Sequence, residues 1–316
     1  MKWWIVLACA ALAAPGVCAA ADGGEPAATC AEARAALPHG TLLDLLDPQA
    51  PADRRAQALA AYERLAKLPG CIQAAYTLGQ LYRHGADLPG NLLPQDVAKA
   101  RELLLPSALD GDILAFADLA EMEMRHANGR EAMRWTQLYL HFVRTVQMPG
   151  IDDADDVQYQ RSAYNGNLLT RSTLVWGWAR PHLPRRLIRE DLNAWLDQHG
   201  ADVTQRMRER QQGWNEAMSG GPDGVRVTQV PQDCQMRLPD RIGAASASWI
   251  VEVLPSGDVG RVVLENFVPN ADVASDLAAK CLSQYRFAAF DGSESRTVRI
   301  PMVIGSTEGA SLRRIR

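Results

Sequence analysis

Between residues 248 and 304 the hydrophobic pattern has a period of two, then that of a helix, then a period of two again. Residues 248–254 alternate, with Trp249, Val251 and Val253 on one face and Ile250, Glu252 and Leu254 on the other, which predicts a strand. Pro255-Ser256-Gly257-Asp258 then supplies turn chemistry, and the β-branched and aromatic run 260–268 predicts the return strand of a hairpin. Pro269-Asn270 stops that strand. A helix is expected over 271–285, with Val273, Leu277, Cys281, Leu282 and Tyr285 on one apolar stripe. After the Asp291-Gly292 turn, Arg296, Thr297, Val298, Arg299, Ile300, Pro301, Met302, Val303 and Ile304 alternate as a last strand, with the even-numbered apolar positions toward the helix and Thr297, Arg299, Pro301 and Val303 away from it.

Upstream, residues 26–218 carry helical spacing and an internal repeat. The stretch 70–81, GCIQAAYTLGQL, aligns with 111–122, GDILAFADLAEM, at an offset of 41. Small residues at Ala74, Gly79, Ala115 and Ala120 allow helices to approach, while Leu78, Leu81, Leu119 and Met122 fill the space between them. A unit of this kind buries its apolar face only by stacking on a neighbour. Pro106 falls where a helix interior is expected, so it predicts an early end or a cost of about 3 kcal/mol. The stretch 219–224 has no apolar period and reads as a linker.

Two family resemblances follow from these motifs. Tyr76-x-Leu78-Gly79-x-Leu81-Tyr82-x-x-Gly85, Asp96-Val97-Ala98-Lys99-Ala100 and Asn128-Gly129-Arg130-Glu131-Ala132 with Trp135 resemble Sel-one-like repeats, the solenoid relatives of tetratricopeptide repeats. The strand, glycine turn and strand, with Tyr285-Arg286-Phe287, Phe290-Asp291-Gly292 and Val298-Arg299-Ile300-Pro301, resemble the C-terminal domain of TonB-type proteins. The expected fold class is therefore α + (α+β), a helical-repeat solenoid over 22–218 followed by a small β-β-α-β domain over 225–305 and a loose tail over 306–316. The second resemblance implies binding of a protein or peptide, including segments of outer-membrane transporters.

The N-terminus changes the compartment. Lys2, an apolar run over 3–14 and the small residues Ala19, Ala20 and Ala21 predict a signal segment over 1–21, cleaved on export to the periplasm. That run is shorter than the roughly 20 residues a membrane span needs, so stable insertion of the mature chain is not expected. An energy transducer of the TonB type would instead retain this segment as an anchor. Of six cysteines, four remain after cleavage, Cys30, Cys71, Cys234 and Cys281. Two disulfides are expected in an oxidising compartment, with three connectivities open. Cys30 and Cys71 begin two helices expected to be neighbours, while Cys234 leads into the sheet that Cys281 faces, so the pairs Cys30–Cys71 and Cys234–Cys281 are expected.

Candidate chemistry is sparse. The net charge of −4 and the lack of a strongly basic face argue against a nucleic-acid partner. Asp152, Asp153, Asp155 and Asp156 lack the spacing, central glycine and closing glutamate of a calcium loop. Trp176, Trp178, His182 and Trp195 suggest a groove but are expected to pack between helices, and the histidines show no HExxH spacing. Gly305-Ser306-Thr307-Glu308-Gly309 has no partner histidine that sequence assigns, so no enzyme activity, cofactor or metal is expected. The candidate binding site is the last strand. Pro301 has no amide donor and is confined to an edge, a strand end or a bulge. An edge strand offers unpaired backbone groups to an extended peptide, or is blunted by its proline. The competing expectation is an envelope scaffold whose β domain only caps the solenoid.

Overall fold

The computed structural model describes residues 29–147, 175, 177–218, 225–231, 245–268 and 279–304. They form a helical part followed by a small antiparallel sheet region. The helices are α1 Cys30–Ala35, α2 Thr41–Leu46, α3 Ala52–Leu65, α4 Ile72–His84, α5 Val97–Leu109, α6 Ile113–Arg125, α7 Gly129–Phe142 and α8 Arg185–Met218.

Their ends follow local chemistry. Thr29 and Glu32 form a reciprocal capping box at α1. Asp96 accepts from Lys99 N at 2.9 Å at the start of α5, and Asp112 accepts from Leu114 N at 3.0 Å at the start of α6. α4 stops at Gly85, whose φ of 54° and close approach to the Gln95 backbone N, 2.6 Å from an added Cβ, leave room only for glycine. Asn91 then turns back to donate to the carbonyls of Leu81 and Gly85, satisfying the open end of α4. α5 does not end early at Pro106. It continues to Leu109, with fully buried Leu104 and Ala108 holding the helix in place on either side of the proline.

The expected repeat helices are α4 and α6, whose first residues differ by the offset of 41. α4 packs on α5, α5 on α6 and α6 on α7, with α8 lying against α5 and α7. α8 contributes Ile188, Trp195, Val203 and Met207, a buried stripe on an otherwise polar helix. Trp195 sits among Phe116, Trp135 and Phe142 with ring centroids 5.8–6.2 Å away, so it is packed between helices. Cys30 and Cys71 are joined, with Cα atoms 5.2 Å apart, which ties α1 to the start of α4 as expected.

The main sheet has the order β3-β2-β5, with β2 Ala245–Val253 between β3 Val259–Phe267 and β5 Arg296–Ile304, all antiparallel. β1 Val227–Gln229 and β4 Arg286–Phe287 form a separate two-stranded pair. This pair is too short to carry a period, and Arg286 and Phe287 were expected only as a helix exit. Residues 279–282 are the end of the expected helix, and Cys281 and Leu282 are buried there. The hairpin turn matches its residues: Gly257 has φ 85°, Leu254 N bonds Asp258 O, and Gly257 O accepts from Phe287 N.

Both faces of β2 are covered. Trp249, Val251 and Val253 are buried on one side, as expected, but Ile250 is equally buried on the other. One apolar cluster joins Leu43, Leu46, Leu78 and Leu81 of α2 and α4 to Trp249, Ile250, Val263 and Phe267 of the sheet. The sheet is thus packed directly on the helices. The signal segment, Asp152 to Asp156, Trp176, the linker over 219–224, Cys234 and the tail lie outside the described residues.

Candidate functional site

β5 is, with β3, one of the two outer strands of its sheet among the described residues. It pairs along its whole length with β2, from Val253↔Arg296 to Ala245↔Ile304, and Pro301 faces Ser248 across the ladder. Val298 and Ile300 pack against the shared core, as the alternation predicts. Thr297 is exposed, and the Arg296 guanidinium lies over the Phe290 ring at 4.2 Å. Pro301, Met302, Val303 and Ile304 continue the ladder; their side chains lie outside the described set. Arg299 shares the face of Ile250, toward α4, and is only partly exposed. It pairs with both oxygens of fully buried Glu265 on β3, through Nε to Oε2 and through Nη2 to Oε1 at 2.6 Å. Its guanidinium also lies 5.2 Å from the Tyr76 ring of α4. Burial works against the Arg299 charge, but the Glu265 carboxylate outweighs it and raises the pKa.

Next to this pair the helices and the sheet share a buried polar network. Asp118 on α6 accepts from Tyr76 OH at 2.6 Å, Gln80 Nε2 at 2.6 Å, Arg83 Nη1 at 2.9 Å and Asn266 Nδ2 at 3.0 Å. Arg83 also pairs with Glu121, and His84 stacks on Phe267 at 4.5 Å while its Nε2 lies 2.8 Å from Asn266 Oδ1. Arg83, Asp118 and Glu121 are at most 1% exposed. Burial lowers the Arg83 pKa to about 9, which still leaves the guanidinium charged at neutral pH. A second bracket joins Arg261 of β3 to Asp44 of α2 at 2.7 Å and to Glu252 of β2.

These residues were missed from the sequence, though a signal existed. Tyr76, Gln80 and Arg83 recur at i, i+4 and i+7, a polar stripe on a helix otherwise packed on every side. Glu265 and Asn266 could not be found this way. Ser248 and Trp249 are consecutive, yet they face Asn266 and Leu264, so Glu265 is the extra residue of a β-bulge. The bulge turns two successive residues toward the helices, which strict alternation forbids.

The fold also brings together a serine, a histidine and acids distant in sequence. His39 Nε2 is 2.8 Å from Ser295 Oγ, and Glu294 Oε2 is 3.6 Å from His39 Nδ1. Ser295 Oγ, however, donates its one proton to Glu252 Oε1 at 2.8 Å. Burial opposes the charge of Glu252, but the Arg261 N–H, Ser295 and the Arg261 guanidinium lower its pKa overall, so it accepts as a carboxylate. His39 then donates to Ser295 rather than taking its proton, and the group ties the loop before α2 to the loop before β5.

Among the described residues no cluster of metal-ligating side chains occurs, and no helix is long and apolar enough to cross a membrane. Cys281 is half of a disulfide, and its expected partner Cys234 lies outside the described residues. No family model, curated protein or solved structure matches the chain.

Proposed function

We propose that this chain is an exported, periplasmic protein-interaction module in which Sel-one-like repeat helices carry a TonB-like sheet, and in which the outer edge of β5 takes up an extended peptide by strand addition. The observation that carries this reading is the position of β5: a nine-residue strand, paired on one side with β2 and holding a proline within its run. A proline fits such a ladder where its nitrogen faces outward, so residues of the same parity, 297, 299 and 303, turn their N–H and C=O groups to the open edge. Main-chain pairing there supplies affinity without a deep pocket. The two repeat helices α4 and α6, related by an offset of 41, support the scaffold part of the reading.

A second reading has its own support. The buried network and the shared apolar cluster hold the sheet face against α2 and α4, which is what a cap on an envelope scaffold needs. The test uses the full-length chain and an extended peptide from a periplasm-facing segment of an outer-membrane transporter. Amide shift changes clustered on residues 296–304 support the first reading. Changes confined to the helices, or none, end the first reading.

A further inference from the structure

Arg299 crosses the sheet. It faces Ile250 on β2, which faces Val263 on β3, and its guanidinium passes over that row to reach Glu265 two residues further along β3. The pair therefore ties the two outer strands together across the central one, beneath the Tyr76 ring. With its amide oxygen turned inward, Gln73 at the start of α4 accepts from the same guanidinium at 2.7 Å. Nε and Nη2 of Arg299 are thus engaged by Glu265, and Nη2 and Nη1 by Gln73.

The apolar pattern of β5 does not set its register alone. Val298, Ile300, Met302 and Ile304 are all apolar, so a slip of two residues along β2 would keep an apolar side chain at nearly every core position. The same slip would place Thr297 or Pro301 where Arg299 stands, and fully buried Glu265 would lose its cation. A single buried polar pair can choose among registers that apolar packing leaves nearly equal.

The structure assigns Arg299 as the positioning residue of the open edge: its bridge to Glu265 sets the register in which β5 meets a partner, so that partner is an extended peptide recognised through its main chain rather than through an acidic side chain. The recognition half rests on the strand-addition reading above; the positioning half stands without it.

Both halves are measurable on the full-length chain. Replacing the pair with apolar residues, Arg299→Met with Glu265→Leu, removes both charges together. Cross-strand Hα–Hα contacts should then show two β2–β5 registers two residues apart, where the wild type shows Ile250 opposite Arg299 alone. One native register in the double variant would overturn the positioning role. Arg299→Lys keeps the charge but loses the two-pronged bridge; it should keep the native register while β5 amides exchange about tenfold faster, and unchanged exchange would count against the role. For recognition, a bound transporter-derived peptide and its variant with every Asp and Glu changed to Asn and Gln should bind within about twofold of each other at physiological salt. A loss of about tenfold or more would show that an acidic side chain is read. If the wild type bound neither peptide, the strand-addition reading and the recognition half would fail together, and the register experiment would still decide the positioning half.

Discussion

Arg83 reaches no water, and its charge is met by Asp118 and Glu121 on the facing helix. Removing one member of such a buried group costs more than the group is worth as a whole, because the remaining charges stay buried without a counter-ion. Arg83→Leu should destabilise the protein by about 3–5 kcal/mol, read from the midpoint of denaturant unfolding. Tyr76→Phe, which removes only one donor to Asp118, should cost about 1.5–3 kcal/mol. Tyr62 gives a pH signature. Burial, helped by the charge of Glu265, raises its pKa from about 10 to about 12. A raised folded pKa means stability is fully present below pH 10 and lost as pH rises toward 12, by about 2–3 kcal/mol. Tyr62→Phe should flatten that alkaline loss in thermal unfolding. Glu252 acts in the opposite sense: its pKa is lowered, so its contribution is present above the unfolded carboxylate value of about 4.3 and disappears as pH falls through the folded value.

At the scale of elements, the turn between β2 and β3 is also a seat for β4. Gly257 has φ 85°, and a Cβ there would come within 2.1 Å of Phe287 O. Gly257→Ala therefore meets both backbone strain and overpacking, and a loss of about 2–4 kcal/mol is expected in equilibrium unfolding. Gly292 has φ 121° but nothing within 4 Å of an added Cβ, so Gly292→Ala carries strain alone and should cost less. The contrast matters for reading turns: the residue type announces the dihedral, while the neighbour that makes a position intolerant comes from elsewhere in the chain. α8 shows the same division. Its stripe of Ile188, Trp195, Val203 and Met207 is legible as a helix face, but the charges that hold it, Arg210 on Asp110 at 2.6 Å and Arg130 on Asp191, pair across about 60 to 100 residues.

For the whole molecule, the sheet and helices share one apolar cluster. Leu43, Leu46, Leu78 and Leu81 cover one of the sheet's faces, and the charged groups of Glu265 and Arg299 lie under α4. A fragment carrying residues 225–316 alone should lack a cooperative thermal transition, and a sharp one near that of the full chain would show that the sheet stands by itself. The Cys30–Cys71 bridge, with a separation of 41, should contribute about 4 kcal/mol in the chain-entropy picture. Cys30→Ala with Cys71→Ala should lower the unfolding midpoint accordingly without altering the sheet.

The parts legible in the sequence are those governed by short-range chemistry. Hydrophobic period gave the strands of the hairpin and the run of β5 at its observed bounds. Turn residues placed Gly257, and the repeat offset of 41 separates the first residues of α4 and α6, Ile72 and Ile113. Helix starts also predicted the Cys30–Cys71 pair. Most of these signals span a few residues, and the repeat and cysteine spacings are counted directly along the chain, so a linear reading captures them. The cover over the second face of β2, the bulge that turns Glu265 inward and the use of Arg299 as an internal bridge belong to the tertiary structure. They depend on pairs such as Asp118 with Asn266 and Asp44 with Arg261, separated by 148 and 217 residues. A charged residue in an alternating strand has the same local signature whether it meets water or a buried carboxylate, and only the packing of distant elements decides which.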